Sequence, residues 1–273
     1  MEIGQSSRTA LTIAGIRARY QFTEKRRVFT DPFAVPIVGD FVYEEGNSDR
    51  NLDPELALMR LFILARSRFA DDTVAAAIAD RTRQVVVLGA GLDTSAYRNT
   101  NPDVRFFEVD HPDTQRWKRN RLAEAGIEVP PTLNFVPVDF EKSTLAEGLA
   151  EARFDRAQPA VFVWLGVVMY LTRPSITDTW RYIADQVGVQ LVMDYLYPAS
   201  TPSMLQRAEH AAALGEPWLS SFTDSEIRSD LVSLGFTTVE DYSGAELLTR
   251  YLGEEVPSPT DSGPHLIRAS VGT

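Results

Sequence analysis

The chain has 273 residues, of which 44% are hydrophobic and 24% charged, with a net charge of −11 and no cysteine. The acidic balance disfavours nucleic acid as a partner, because negative charge repels the phosphate backbone. The lack of cysteine excludes disulfides, thiol nucleophiles and cysteine-ligated metal sites.

The amino terminus and the apolar runs indicate the cellular compartment in which the protein is expected. The first residues lack the basic and apolar regions of a signal peptide. The longest apolar run, residues 160–171, is shorter than the roughly 20 residues that cross a membrane. We therefore expect a cytoplasmic protein with no membrane partner.

Residues 1–82 are predicted to be mostly helical. One of the serines at 6–7 can cap a first helix, and a turn follows at 31–34. A second helix opens at Pro54, since proline suits the first helical position, and it reaches 66–69. A further helix is predicted to carry Val74 and Ile78.

From residue 84 onward, short apolar runs alternate with helical stretches. This pattern predicts an α/β fold, with a parallel sheet covered on both faces. Strands are predicted at 84–88, 104–109, 133–138, 160–165 and 189–194, and helices at 112–125, 143–151 and 174–187. Pro137 either weakens the third strand or places it near the sheet edge, because proline cannot donate to a ladder.

The last part of the chain is predicted to complete the sheet with an antiparallel edge. It reads as an insertion followed by helix 224–234, strand 236–241, helix 244–252 and strand 265–271. We find no clean linker, so residues 1–273 are predicted to form one domain. Its predicted parts are a helical cap (1–82), a cofactor-binding core (83–197), a lid insertion (198–222) and the rest of the sheet (223–273).

The stretch VVVLGAGLDTSAYR runs from a strand into a glycine turn at Gly89 and Gly91. In doubly wound folds such a turn lets the backbone approach a ligand. The dinucleotide fingerprint requires a third glycine where this chain has Thr94. A ligand without a pyrophosphate, such as S-adenosylmethionine, does not need that glycine. A plain turn between strand and helix remains open.

Asp110 ends the second predicted strand, a short distance after the glycine turn. An acidic residue about 20 positions beyond the turn typically accepts the hydroxyls of an adenosine ribose. Glu108, two residues earlier on the same strand face, is its rival, and a solvated loop carboxylate is the alternative. The glycines, the spacing and the strand together predict a nucleoside site.

Two further groups are candidates for ligand contacts. Asp139 and Phe140 follow the third strand, where they can bind and stack on adenine, although a helix cap with a core aromatic fits equally. Arg66 and Arg68 point to different faces of a helix, so one of them can hold a ligand carboxylate. Two surface charges are the other interpretation of these arginines.

The sequence lacks the motifs of several catalytic classes. The three histidines show no metal-ligand spacing and the chain has no HExxH, so we expect no metal site. His111 is expected near the ligand only because it follows Asp110. The absence of GxSxG and of a P-loop argues against a hydrolase or a kinase.

Seven stretches then occur in order between residues 7 and 172. They are SRTAL (7–11), DPFA (31–34), ARSRFADD (65–72), VVVLGAGLDTSAYR (85–98), FFEVDHPDTQRWK (106–118), FVPVDFE (135–141) and WLGVVMYLT (164–172). Together they resemble the leucine carboxyl methyltransferase-like family of S-adenosylmethionine-dependent O-methyltransferases. The resemblance implies a Rossmann-like class I methyltransferase fold with a mostly parallel seven-stranded sheet.

The resemblance also implies residue roles towards S-adenosyl-L-methionine as cofactor. Arg66 would hold the methionine carboxylate, and Asp110 would hold the ribose hydroxyls. The remaining implied contacts are Gly89, Ala90 and Gly91 along the methionine arm, His111 beside the ribose, Asp139 and Phe140 at adenine, and Trp164 and Leu165 beneath the reacting end.

One departure from the family bears on the acceptor. Members that methylate proteins carry a glutamate where this chain has Leu165. This argues against a protein carboxyl terminus as substrate and favours the bacterial small-molecule branch. The expected acceptor is a carboxylate or hydroxyl of a small hydrophobic molecule, in natural-product biosynthesis.

Candidate residues at the acceptor end carry less information. The weak candidates for catalysis lie near strand ends, where such folds place their sites, and a scaffold role fits each of them: Tyr170, Asp194 and Tyr195. The candidate walls of an apolar acceptor pocket come from the cap and the lid, and a core role fits each of these: Tyr20, Phe33, Tyr197, Met204 and Trp218.

Two other functions stay open at this point. A nicotinamide-dependent oxidoreductase uses the same kind of sheet, although the missing third glycine argues against it. A nucleoside-binding protein without transfer activity is the second alternative, since a fold does not fix a function. The sequence does not indicate an oligomeric state.

Overall fold

A computed structural model of the chain describes residues 8–22, 28–43, 54–139, 142–198, 201–213, 215–253, 255–256 and 263–272. Within these residues the centre of the fold is a seven-stranded sheet. Its strands are β1 (Gln84–Leu88), β2 (Arg105–Asp110), β3 (Leu133–Pro137), β4 (Ala160–Trp164), β5 (Gln190–Leu196), β6 (Thr238–Ser243) and β7 (Pro264–Ser270).

The strand order is β3-β2-β1-β4-β5-β7-β6, and only β7 runs antiparallel to its neighbours. The predicted α/β fold, with a mostly parallel sheet and an antiparallel edge, is confirmed. Every residue of the central strands β1 and β4 is buried, which explains why these strands are continuous apolar runs. Pro137 ends β3, the outermost strand on one side, where a missing N–H costs least.

Helices cover both faces of the sheet. They are α1 (Arg8–Tyr20), α2 (Ala34–Val38), α3 (Pro54–Ala79), α4 (Ser95–Arg98), α5 (Pro112–Glu124), α6 (Leu145–Glu151), α7 (Arg173–Ala184), α8 (Pro202–Ala213), α9 (Asp224–Ser233) and α10 (Gly244–Leu252). Thr144, Thr223 and Ser243 begin α6, α9 and α10 with reciprocal capping boxes, which satisfy backbone N–H groups. No helix in the described ranges is long and apolar enough to cross a membrane.

The prediction of two helices between residues 54 and 79 is wrong. The structure has one helix of 26 residues, α3. The adjacent residues Asp71 and Asp72 do not interrupt this helix, because both carboxylates have partners. Asp71 accepts two hydrogen bonds from Arg98, and Asp72 accepts from Arg68 one helical turn away.

Strand ends differ from the prediction by up to two residues at the antiparallel edge. β6 begins at Thr238 rather than 236, and β5 continues to Leu196 rather than ending at 194. The pairing with β7 sets these limits, since β7 runs between them and pairs with both. Phe236, which was predicted to begin β6, is instead buried in the core.

Alternate residues of each strand enter two different apolar layers. Val85 and Val87 of β1 face the layer formed with α1, α2, α3 and α10. Val86 and Leu88 face the layer formed with α6, α7 and α9. The predicted cap helices therefore pack on one face of the sheet, while the division of the chain into cap, core and lid stays a prediction.

A buried carboxylate joins the amino-terminal region to the loop after β1. Asp31 is fully buried and accepts a 2.6 Å hydrogen bond from the Thr94 hydroxyl. It also accepts from the Phe33 N–H at 3.0 Å, and Arg98 lies 3.4 Å away. Thr94 stands where a dinucleotide fingerprint has glycine, and its hydroxyl is part of this network.

We expect Thr94→Val to lower the free energy of unfolding by about 1–3 kcal/mol, because Asp31 loses a buried hydrogen bond. Urea unfolding followed by circular dichroism measures the change. Thr179→Val is the matched control, since the Thr179 hydroxyl is exposed and bonds only to the Ser175 carbonyl within α7. We expect the control to stay within about 0.5 kcal/mol of the parent chain. Equal losses in both variants would contradict the role given to Asp31.

Candidate functional site

The candidate site lies at the carboxyl ends of β1, β2, β4 and β5. Ligands of open α/β sheets bind at this edge, where the strand order reverses. Here the reversal falls between β1 and β4. Four groups meet along the edge: the turn at Gly89 and Gly91, Asp110, the turn at Gly166, and Asp194.

The turn after β1 requires its glycines. Gly89 and Gly91 have φ values of 64° and 46°, a region that side chains other than glycine rarely adopt. A Cβ on Gly89 would lie 2.3 Å from a methyl of Val167, so the backbone approaches the loop after β4 closely. The N–H groups of Gly89 and Ala90 both donate to the Val109 carbonyl, which anchors the turn to β2.

Asp110 and Gly91 are brought together by the fold. The two oxygens of the Asp110 carboxylate accept from the Gly91 N–H at 2.6 Å and from the His111 N–H at 2.7 Å. Burial raises the pKa of Asp110, and the two N–H groups oppose that rise. Each carboxylate oxygen keeps a second lone pair, so the group can still accept from two ligand hydroxyls.

Glu108 is placed differently from its neighbour Asp110. Its side chain is fully buried and pairs with Lys118 at 2.7 Å. Lys118 also donates to the Asp93 carbonyl at 2.6 Å, so the Glu108–Lys118 pair is connected to the loop after β1. Burial raises the pKa of Glu108 to about 7, and Lys118 opposes the rise. These contacts favour Asp110 over Glu108 as the residue that faces a ligand.

The two arginines of α3 also differ. Arg66 is buried and pairs with Asp194 of β5, whose other oxygen accepts from the Gly166 N–H at 2.6 Å. Arg68 is about half exposed and pairs with Asp72 at 2.7 Å. The structure therefore places Arg66, and not Arg68, at the edge where β4 and β5 end. Both oxygens of Asp194, a predicted candidate for catalysis, are used in holding this edge.

His111 and Asp139 lie together beyond the ends of β2 and β3. The Nδ1 atom of His111 accepts from the Asp113 N–H at 3.2 Å and so caps α5. Its Nε2 atom lies 3.9 Å from an oxygen of Asp139, which also accepts from Lys142. Phe140, the other predicted adenine contact, lies outside the described residues. Phe140 therefore stays a prediction.

The opposite end of the site carries the acceptor candidates. Met204 is buried with Met169 and Leu196, and Tyr170 and Trp218 pack against this cluster. The segment 215–222 reaches the cluster after α8, and its Leu219 N–H donates to the Met169 carbonyl at 2.7 Å. Three predicted residues, Tyr170, Met204 and Trp218, are thus brought together. We call this group the acceptor wall.

The other acceptor and catalytic candidates pack elsewhere. Phe33 contacts Tyr97 with ring centroids 6.1 Å apart, and Tyr197 stacks on His265 at 5.3 Å. Tyr20 packs in the layer with α1 and α3. Tyr195 is fully buried on the opposite face from Asp194, where its hydroxyl donates to Asp241. These contacts fit core roles, and the site roles of these residues remain predictions.

Trp164 and Leu165 follow the same alternation at the end of β4. Trp164 is buried in the layer with α6 and α7, while Leu165 packs against the layer with α1 and α3. Leu165 is partly exposed and immediately precedes the turn at Gly166. Of the two, Leu165 is therefore on the same side of the sheet as Arg66.

One contact near the site joins two residues whose pairing the sequence does not indicate. The Thr9 hydroxyl of α1 donates to the carboxylate of Glu216, which follows α8. Ala10, the next residue of α1, lies against Gly91, whose added Cβ would be 3.2 Å from the Ala10 side chain. Helix α1 and the segment 215–222 therefore cover the edge of the sheet together. Only the three-dimensional arrangement reveals this pair.

Comparison with known proteins gives the chain its relatives. A profile of the leucine carboxyl methyltransferase family matches residues 10–184. A putative S-adenosyl-L-methionine-dependent methyltransferase, YktD of Bacillus subtilis, is 36% identical over 192 residues, which are 66% of this chain and 62% of the relative. A putative methyltransferase of the same description from Mycolicibacterium vanbaalenii is 33% identical over 276 residues, covering 89% of this chain and 88% of its own. This chain thus spans less than two thirds of the Bacillus protein.

Solved structures share the fold. A putative methyltransferase from Thermobifida fusca superposes with a TM-score of 0.61 at 16% identity, over 99% of this chain and 97% of its own. A DUF574 family protein from Streptomyces avermitilis superposes with a TM-score of 0.61 at 15% identity, over 98% of this chain and 99% of the Streptomyces protein. At such identities the likeness shows the fold alone.

The raised pKa of the buried Glu108 predicts that the free energy of unfolding depends on pH. Because burial raises its pKa from 4.5 to about 7, the folded chain holds this proton more tightly than the unfolded chain. The stability from Glu108 is therefore full below pH 4.5 and is lost as the pH rises to about 7. The glutamine of Glu108→Gln cannot ionise. The free energy of unfolding of this variant, relative to that of the parent chain, should therefore rise by about 3 kcal/mol between pH 4.5 and about pH 7.

Guanidinium unfolding of both chains between about pH 5 and about pH 8 measures this difference. Glu128→Gln, at an exposed position, controls for the loss of a surface charge. A difference between Glu108→Gln and the parent chain that stays constant over the range would show that folding does not raise the pKa of Glu108.

Proposed function

The chain belongs to the leucine carboxyl methyltransferase family and its cofactor is S-adenosyl-L-methionine, and we propose that it transfers the methyl group of that cofactor to an oxygen atom of a small, hydrophobic acceptor. The family description names a carboxyl acceptor, which supports oxygen as the receiving atom. An intermediate of natural-product biosynthesis is the class of molecule that we propose.

The acceptor wall is the observation that carries this proposal. Tyr170, Met204 and Trp218 form a largely apolar group with two polar atoms, the Tyr170 hydroxyl and the Trp218 indole N–H, at the end of β5. Such a surface suits a small apolar molecule with one polar atom. Helix α1 and the segment 215–222 are joined next to it by the contact of Thr9 with Glu216.

The residues at the sheet edge fit the parts of the cofactor. When bound, S-adenosyl-L-methionine supplies an electrophilic methyl group on a sulfonium. Asp110 offers two fixed carboxylate oxygens to the ribose hydroxyls, and its hydrogen bond from the Gly91 N–H places it beside the glycine turn. Arg66 has five N–H donors, so it can pair with Asp194 and still bind a carboxylate. Asp139 and His111 lie 3.9 Å apart beyond the ends of β2 and β3 and would contact the adenine.

The protein's contribution to the reaction is then chiefly positioning. Methyl transfer needs the acceptor oxygen in line with the methyl group at about 3 Å, and alignment of this kind supplies several kcal/mol. The cofactor side is fixed by the sheet edge, and the acceptor side by the wall. The hydrogen bond from Leu219 to the Met169 carbonyl fixes the segment that carries Trp218.

We expect Asp110→Asn to weaken binding of S-adenosylhomocysteine about tenfold or more, because the variant loses a charged acceptor of the ribose hydroxyls. Asp103→Asn, at an exposed position before β2, should bind as the parent chain does. Calorimetric titration measures both, with NADH as the comparator ligand. Preferential binding of NADH would instead favour a nicotinamide-dependent oxidoreductase.

The transfer itself is tested with methyl-labelled cofactor and matched acceptors. One set of small aromatic rings carries a hydroxyl or carboxyl group, and further sets carry an amine or a thiol at the same position. We expect label on oxygen only, identified by mass spectrometry of the products. Label on nitrogen or sulfur would contradict the proposal, as would label found in added protein but not in any small molecule.

A further inference from the structure

Helix α8 lies alongside the first half of α3. At the start of α8, the Ser203 hydroxyl lies 2.6 Å from both carboxylate oxygens of Glu55. Four residues further along each helix, Arg207 donates a 2.7 Å hydrogen bond to the sulfur of Met59. Because the second contact is advanced by the same number of residues on both helices, the two helices run side by side in the same direction here. Arg207 therefore lies at the contact between α3 and α8.

The guanidinium of Arg207 has a weak and uncharged partner. A guanidinium keeps its charge and has five N–H donors, whereas a thioether sulfur is a poor acceptor. Among the described residues no carboxylate pairs with Arg207, although the chain has 38 acidic and 27 basic residues. By contrast, Arg66 pairs with Asp194 and Arg98 pairs with Asp71. The side chain of Arg207 is partly buried, so its charge is neither fully hydrated nor neutralised by these residues.

Two neighbours place this charge beside the proposed acceptor site. Met204, a member of the acceptor wall, precedes Arg207 by three residues on α8, so the two side chains are neighbours on the helix surface. Met59 precedes Arg66 by seven residues on α3, which is two turns on the same face and a rise of about 10 Å. Along α3, Arg207 is thus about two turns from the residue proposed to hold the methionine carboxylate.

The side chains between these two positive charges are apolar. On the face of α3 that carries Met59 and Arg66, the intervening residues are Phe62 and Ile63, and both are buried. On α8 the neighbouring side chain is that of Met204, which is buried as well. A molecule that reaches from the acceptor wall to Arg207 therefore meets an apolar region that ends at a cation.

We infer that Arg207 binds an oxyanion, a carboxylate or a phosphate, at the end of the acceptor that is remote from the methylated oxygen. The inference rests on the proposed function and narrows its acceptor to an amphipathic molecule with an acidic group. The planar guanidinium matches both oxyanions, because it can donate two parallel hydrogen bonds. The chain has a net charge of −11, so an anionic acceptor needs a dedicated cation to offset the general repulsion.

The attachment of α8 makes Arg207 suitable for selecting acceptors. The helix is held at its start by the contact of Ser203 with Glu55. The segment after it is held by Glu216 on Thr9 and by the Leu219 N–H on the Met169 carbonyl. With α8 fixed on both sides, the anchored acid keeps the rest of the acceptor directed towards the wall. The acid held by Arg207 is then not the group that receives the methyl.

The test measures binding to the full chain saturated with S-adenosylhomocysteine, by calorimetry. The probes are para-hydroxybenzoate, para-hydroxyphenylacetate and para-hydroxyphenylpropanoate, each with its neutral carboxamide. We expect each acid to bind about tenfold or more tightly than its carboxamide, because a charge-assisted bidentate contact is lost in the amide. The longest acid should bind most tightly, since Arg207 is about two helical turns from Arg66.

A phosphate probe separates the two oxyanions. The phosphate ester of para-hydroxyphenylethanol has the same ring and hydroxyl, with a phosphate in place of the carboxylate. Tighter binding of this ester than of every acid would identify a phosphate as the anchored group, and the reverse order would identify a carboxylate. Equal affinity of acids and carboxamides, or a parent chain that binds none of the probes, would overturn the inference.

Variants assign the preference to Arg207 itself. Arg207→Gln should bind the acids no better than the carboxamides, while its affinity for the carboxamides stays at the parent value. Arg207→Lys should recover part of the preference, because it restores the charge without the fork. Arg156→Gln is the control, since Arg156 is exposed and precedes β4 at the opposite end of the sheet. An undiminished preference for acids in Arg207→Gln would overturn the assignment.

Products formed with methyl-labelled cofactor separate this inference from the proposed function. We expect methyl ethers of the acidic probes, because the carboxylate is held away from the methyl group. Methyl esters of the same probes would overturn the anchoring role of Arg207 and leave oxygen transfer intact. Acids that bind through Arg207 without any labelled product would reject the proposed transfer and leave the anion site standing.

Discussion

The hydrogen bond from the Gly91 N–H to Asp110 is the contact on which the rest of the site depends. It joins the turn after β1 to the tip of β2, so neither ligand-facing group is free to move alone. The turn can take this position only because Gly91 adopts a positive φ. Thr94 then secures the far side of the loop to the fully buried Asp31. The shape of the cofactor end therefore follows from a backbone requirement and one buried carboxylate.

Local spacing made the meeting of the glycine turn with Asp110 predictable from the sequence. The glycine turn and Asp110 are close in the chain, and they sit at the ends of neighbouring strands whose apolar runs are unmistakable. Pro137 indicated an outer strand because its missing donor is tolerated only there. The two layers of the core follow from the alternation of side chains along each strand, which is a property of the backbone.

Contacts between distant residues could not be predicted in the same way. The pairs Thr94 with Asp31, Arg66 with Asp194 and Thr9 with Glu216 are separated by 63, 128 and 207 residues. No periodicity links such positions, so their partners emerge only from the packing. The continuous helix α3 also has contacts that the sequence does not indicate. Asp71 is held by Arg98, and Asp72 by Arg68 within the helix.

The two halves of the site rest on different kinds of structure. The cofactor end is built on the sheet, where a displaced residue would disturb a ladder of buried hydrogen bonds. The acceptor wall is built from a short turn, α8 and the segment 215–222, which attach to the sheet by a few side-chain and main-chain contacts. Residues such as Met204 and Trp218 can therefore change without loss of the ladder. Under the proposed function, one cofactor end would serve many acceptors, because specificity would reside in the part that the sheet does not constrain.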